Sequence, residues 1–148
     1  RFGLIAKELP VLFKQHWREI ALNQDSIPLD PNWDGYFAFD LADILNCLTV
    51  RSNGVLVGYL FVLIHPHLHY FSTTIAHTDI FWLDPAYRSG WTGYRMFREM
   101  EKQLMSRGVK LVAVNVKLHF EAKRGTLGKL FTRLGYKPIE TVYSKVIG

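Results

Sequence analysis

Arg88, Ser89, Gly90, Trp91, Thr92 and Gly93 follow one another where an apolar stretch over 79–83 gives way to a long amphipathic one. Gly90 and Gly93 let the backbone approach a ligand closely. Ser89 and Thr92 carry hydroxyls that can cap a helix or donate to phosphate oxygens, and Arg88 brings charge. Backbone N–H groups at a helix start have no partner inside the helix, and the helix dipole adds partial positive charge there. Such a turn suits a diphosphate. The same residues also make an ordinary helix-start turn, and their types alone leave both readings open. A P-loop is excluded because no Gly-Lys-Ser/Thr follows. A dinucleotide fingerprint lacks its third glycine.

Groups able to move a proton lie elsewhere. Asp79 sits on the strand that leads into the turn, and His77, His67, His69 and Glu19 are further candidates for a general base. The run HPHLHY over 65–70 alternates its histidines, so an extended backbone would set them on one face. That face suits a substrate pocket, a metal or plain loop packing. Pro66 disturbs a regular strand, and no separate carboxylate stands ready to complete a metal site. His16 and Trp17 lie beside the apolar face of a helix and read as core. Trp82 and Phe97 read as core too, whereas Trp91, placed inside the turn, is hard to bury.

The elements that must position these residues follow from periodicity. Leu9, Leu12, Phe13, His16, Trp17, Ile20 and Ala21 predict a helix over 9–23, with Pro10 tolerated in its first turn. A loop over 26–33 and a short helix over 34–41 come next. Strands are expected over 45–51 and 55–64, joined by the tight turn Ser52-Asn53-Gly54. HPHLHY is expected to break that strand and open a loop before a third strand over 73–83. Met96, Phe97, Met100 and Leu104 define a helix over 92–107 that Gly108 closes. A strand over 111–116 follows, so strand, helix and strand form a crossover with parallel strands. A helix over 126–134 and a last strand over 138–146 complete the chain. The order predicts an α+β fold with a mixed central β-sheet flanked by helices and one βαβ crossover.

At 148 residues the chain is expected to be a single domain, 1–148, with a substantial core. An apolar share of 49% argues against disorder. The longest apolar stretch, 55–64, contains Gly58 and reads as a buried strand, so no membrane span is expected. No secretory signal pattern stands at the start, and the opening on Arg1 points to a natural start removed or lying upstream. Cys47 is the only cysteine, which excludes an intrachain disulfide and reads as a small buried hydrophobe. A cytoplasmic location is expected. Lysine and arginine total 18 against 13 aspartate and glutamate, and the resulting +5 favours anionic ligands, nucleic acid included. The basic residues are scattered, so charge alone is no fingerprint.

The pattern Arg or Gln, two residues, Gly, one residue, Gly or Ala falls on residues 88–93, met at Arg88 and Gly93, and here the chain resembles the GNAT superfamily of acyl-coenzyme A-dependent N-acetyltransferases. The preceding FWLDPAY is similar to the family's strand end with its Pro-aromatic lead-in. LFTRLGY over 130–136 is similar to its closing helix with a Gly-aromatic ending. The likeness covers about 45–144, and the segments IPLDPNW and PHLHY resemble small bacteriophage-encoded members. Two departures stand out. Trp91 occupies the first signature glycine position, so its indole must point outward, over an adenine or a partner surface. Phe131 occupies the place where many members carry a catalytic tyrosine, and phenylalanine donates no proton.

The resemblance implies acetyl-coenzyme A as cosubstrate and acetyl transfer to an amine by direct attack. The pantetheine arm would lie in a gap where strands 79–83 and 111–116 splay. Phe81, Trp82 and Leu83 would form the cofactor strand, with backbone groups of Phe81 and Leu83 pairing with pantetheine amides. Arg88 and the backbone of Ser89, Gly90, Trp91, Thr92, Gly93 and Tyr94 would hold the diphosphate. An N–H at the strand break would polarise the thioester carbonyl, and Asp79, His67 or His69 would serve as base. The acceptor stays open between small molecule and protein. The alternatives are a nucleobase-modifying enzyme of the same fold and a non-catalytic binding protein acting on a host target. A homodimer is conceivable through the last strand.

Overall fold

The computed structural model describes residues 1–147, with side chains outside 122–124. A 3-10 turn, Phe2–Leu4, precedes helix α1, Leu9–Ile20, and helix α2, Trp33–Leu41. Strands β1, Leu45–Ser52, β2, Val55–His67, and β3, Tyr70–Leu83, form a meander. After a 3-10 turn at Pro85–Tyr87 come helix α3, Thr92–Ser106, strand β4, Leu111–Ala113, and helices α4, Leu118–Arg124, and α5, Leu127–Leu134. The sheet order is β1-β2-β3-β4, antiparallel except for the last pair, which α3 connects as a parallel crossover.

Each face of the sheet carries its own core. Leu60, Val62 and Ile64 of β2 point to one side and pack with Met96, Phe97, Met100 and Leu104 of α3 and Phe131 of α5. Tyr59 and Phe61 point to the other, against Phe2, Leu9 and Phe13. This period-two alternation is what a strand buried on both faces must show. Burying each of these side chains stabilises the fold by roughly 1.5–3 kcal/mol. Among the described residues no helix is long and apolar enough to cross a membrane.

The β2–β3 ladder shifts register twice, between Pro66 and His67 at the hairpin end and between Phe61 and Val62 in its middle, and the second shift bears on the cleft. Phe61 pairs with Ile80 and Val62 with Thr78, so Asp79 is the extra residue of a β-bulge. Ala76 therefore packs on the α3 side, yet Ile80 and Trp82 pack on the α1 side, while Phe81 returns to the α3 side. Without the bulge, residues 76, 78 and 80 would share one face.

Four expectations are corrected. HPHLHY does not end β2: the strand runs to His67 and the hairpin turns over Leu68 and His69. Pro66 is tolerated because β1 pairs with β2 only as far as Leu63, so no neighbour on that side needs its missing N–H. β4 stops at Ala113 rather than 116, since the Asn115 N–H donates to Thr78 Oγ1 at 3.1 Å instead of a backbone ladder. Residues 118–124 form a helix that periodicity did not reveal. Residues 138–146 form no strand: their alternation finds no ladder partner among the described residues, and Ile139, Val142 and Tyr143 stay exposed.

Candidate active site

The parallel pairing of β3 with β4 covers only Ile75, Ala76 and His77 against Leu111, Val112 and Ala113. Past that point Asn115 ties back to Thr78 through its backbone N–H and, at 3.4 Å, its side-chain nitrogen. Beyond Thr78, β3 continues to Leu83 with no β4 partner among the described residues. The opening leads into a cleft of about 880 Å³ between α1, the loop before α2, β3, the start of α3 and α5.

The turn at the far end of the cleft is built locally. Asp84 caps the 3-10 turn by accepting from the Ala86 N–H at 2.8 Å, and the Asp84 N–H donates to the Val57 carbonyl at 2.8 Å. Pro85 then fits the first turn position, where no N–H is needed. Gly90 adopts φ +79°, a left-handed conformation that disfavours a side chain. Trp91 precedes α3 without a side-chain cap, and the first intrahelical bond is Arg95 N–H to Trp91 O. The N–H groups of Thr92, Gly93 and Tyr94 precede that bond, so a 15-residue helix starts with its donors uncapped.

Arg88 is engaged. Its guanidinium forms a two-pronged ion pair with Glu19 of α1, one contact at 2.6 Å, and its Nε donates to the Leu83 carbonyl at 2.6 Å. Trp82 Nε1 donates to the same Glu19 at 2.9 Å. Arg88 thus locks the turn to the end of α1 instead of standing free for a phosphate. Further positive charge along the cleft sits on α5, where Lys129 and Arg133 are one helical turn apart, and on Lys117. Arg133 lies over the Trp91 indole at 5.6 Å, and that indole is 55% exposed, as its place in the turn requires.

At the bulge, Tyr36 donates its hydroxyl to Asp79 Oδ2 at 2.6 Å. Tyr36 is delivered there by α2, which starts where Asn32 Oδ1 accepts from the Gly35 N–H at 2.8 Å. Burial, then the bond to Asp79, pushes the Tyr36 hydroxyl well above its usual range, so it stays a donor. Nearby, Tyr59 is fully buried and sits 2.6 Å from His16 Nδ1. Burial raises the Tyr59 pKa and lowers that of His16 to about 4. The imidazole is therefore neutral near pH 7, and the Tyr59 O–H donates to Nδ1.

The cleft brings together Asp79, Phe81, Trp82, Leu83, Arg88, Gly90, Gly93 and Tyr94. Ser89, Trp91 and Thr92 belong to the same turn but not to the lining. His67 and His69 sit at the hairpin tip, in ring contact with each other at 5.7 Å, and line no part of the cleft. His77 faces His65 across β2 and β3, with Nδ1 and Nε2 3.2 Å apart. Phe131 is core, edge-on to Phe97 at 5.0 Å. Cys47 is held by burial at a pKa of about 12, as a packing residue should be. His16 is buried, as its place beside the apolar face of α1 predicts, whereas its partner Tyr59 and the Tyr36 that holds Asp79 were not singled out by residue type. The His16 and Trp17 pair in α1 was the available signal, since polar-tipped rings on an apolar helix face need partners when buried.

No protein-family model matches the sequence, and no curated protein matches it. Solved structures do. An aminoglycoside acetyltransferase from an uncultured soil metagenomic sample superposes with a TM-score of 0.76 at 11% identity, covering 97% of this chain and 92% of that one. A ribosomal-protein-alanine N-acetyltransferase from Brucella melitensis biovar Abortus 2308 gives 0.73 at 15% identity, over 97% and 92%. The aminoglycoside acetyltransferase AAC(6')-Iy, solved with the bisubstrate analogue CoA-S-monomethyl-acetylneamine, gives 0.59 at 17% identity, over 94% and 93%. At such identities the likeness establishes the fold alone: a mixed four-stranded sheet with flanking helices, as in these acetyltransferases.

Proposed function

We propose that the chain is an N-acetyltransferase that moves an acetyl group from acetyl-coenzyme A to an amine. The observation that carries this reading is the gap beside β3, which ends at the uncapped start of α3. An extended pantetheine arm could add alongside β3 as a strand would, using the backbone of Phe81, while the Leu83 carbonyl already serves Arg88. The diphosphate would meet the N–H groups of Thr92, Gly93 and Tyr94, with Lys129 and Arg133 supplying charge. The neighbours of this fold include one solved with a coenzyme A bisubstrate analogue, which supports the same assignment. The lining segment at Ile27, Pro28 and Leu29 is also part of the phage-like resemblance noted above.

The amine nitrogen attacks the thioester carbonyl carbon, a C–N bond forms, the C–S bond breaks with its electron pair leaving on sulfur, and the surplus proton on the new amide nitrogen passes to the thiolate or to water. The ammonium proton must go first, and Asp79, anchored by Tyr36, is the base that lines the cleft. No step is given to His67 or His69. A thiol of pKa ~8.5 leaves readily as thiolate, so the absence of a hydroxyl at Phe131 does not block the reaction. Most of the acceleration comes from aligning amine and thioester.

Two measurements on the intact chain test this. Calorimetry should detect acetyl-coenzyme A binding, and an amine-dependent release of free thiol should follow. Absence of binding by well-folded protein overturns the proposal; binding without any amine-dependent release leaves the non-catalytic alternative in its place. Binding of nucleic acid in preference to the coenzyme would favour the nucleobase-modifying alternative.

A further inference from the structure

Resting on the acetyl-transfer reading, we infer that the acceptor is a small monoamine carried on an aromatic or branched apolar body, not a polycation. Charge decides first. Of the carboxylates lining the cleft among the described residues, Glu19 is neutralised by Arg88. Asp79 and Asp30 remain, both exposed, and of the two only Asp79 has its carboxylate fixed by a side-chain hydrogen bond among the described residues, from Tyr36. Lys117 adds an opposing positive charge to the same lining. An aminoglycoside or polyamine brings several ammonium groups, and each one stripped of water needs an anion to receive it. This cleft offers one built receptor. Asp79 Oδ2 is held by Tyr36, which leaves Oδ1 for a single ammonium.

The walls decide next. Phe13, Trp17, Tyr36, Ile27, Leu29 and Pro31 line the cleft beside α1 and the loop before α2. Apolar and aromatic surface of this kind gains from covering a hydrocarbon or ring and gains nothing from a hydroxylated polycation. Space is shared: about 880 Å³ must hold both the pantetheine arm and the acceptor, so the acceptor meets these walls directly beside the arm. The bulge at Asp79 lies on the cofactor strand, so an ammonium bound there is delivered beside the arm.

The test compares 2-phenylethylamine and isoamylamine with spermidine, kanamycin and a peptide bearing an N-terminal alanine. Thiol release is measured under saturating acetyl-coenzyme A, with coenzyme binding measured separately by calorimetry. The expected result is a kcat/KM at least about tenfold higher for a monoamine than for either polycation or the peptide. Asp79→Asn should lower the monoamine kcat/KM by about tenfold or more while coenzyme affinity changes less than about threefold. Preference for a polycation or the peptide overturns the inference and leaves the acetyl-transfer reading standing. Coenzyme binding without turnover of either monoamine also overturns it. Failure to bind the coenzyme overturns the acetyl-transfer reading and the inference with it.

Discussion

His16 and Tyr59 show how much one buried pair can govern. Folding keeps the imidazole neutral down to about pH 4, whereas its ordinary value is 6.5. Between those values the unfolded chain binds a proton that the folded chain refuses, so stability falls as pH drops through that window. The full loss is roughly 3 kcal/mol for one group shifted this far. Substituting Phe at both positions removes the titration and leaves no orphaned hydroxyl. Urea midpoints measured near neutral pH and again near pH 4.5 should fall less in that double variant than in the parent chain; equal slopes would place the acid sensitivity elsewhere. Arg88 teaches a related lesson. Its type and place suggested a phosphate ligand, yet a carboxylate sixty-nine positions upstream in sequence claims it. Sequence reads what a residue can do, and only the fold decides which of its possible partners arrives.

Elements divide the same way into legible and hidden. The hairpin of β1 and β2, the amphipathic α3 and its crossover into β4 were readable because apolar periodicity and turn glycines fix them locally. The same logic misled at 138–146, where alternation is present but a strand exists only if another strand pairs with it. The bulge was hidden because nothing in the identities of Thr78, Asp79 and Ile80 marks which one falls out of register. It nevertheless places the candidate base at the cleft. Deleting Asp79 tests this: the bulge residue is surplus to the ladder, so every neighbour keeps its face. The sheet should survive, with a Tm lower by about 3–8 °C for the lost Tyr36 bond and local packing, while amine-dependent thiol release disappears. Deleting Ile80 instead would draw Asp79 into the Ile80 position and set a carboxylate in the core shared with Phe61 and Trp82. That variant should unfold or aggregate, and circular dichroism separates the two outcomes.

At the scale of the molecule, the net charge of +5 becomes an argument about encounter rather than fold. Coenzyme A is a polyanion, and the cationic side chains lining the cleft include Lys129 and Arg133 on α5, Arg133 lying over the Trp91 indole of the turn, while Arg88 is paired with Glu19. A ligand that binds only the folded chain stabilises it by about 2.7 kcal/mol at a hundredfold excess over its Kd, which for this length raises Tm by about 5–10 °C. Two contributions make up that shift. Main-chain contacts along β3 and at the start of α3 are short-ranged and nearly indifferent to salt, whereas the pull of exposed lysine and arginine is screened over about 10 Å at 0.1 M. Raising ionic strength from about 0.02 M to about 0.2 M should therefore shrink the acetyl-coenzyme A shift at fixed ligand without abolishing it. A variant with Lys129→Gln and Arg133→Gln should show a smaller shift at low salt and little further decline at high salt, because the screened part has been removed. Differential scanning fluorimetry across a salt series checks this, and a salt slope that persists in the double variant would assign the attraction to the diffuse charge of the whole surface instead of to α5.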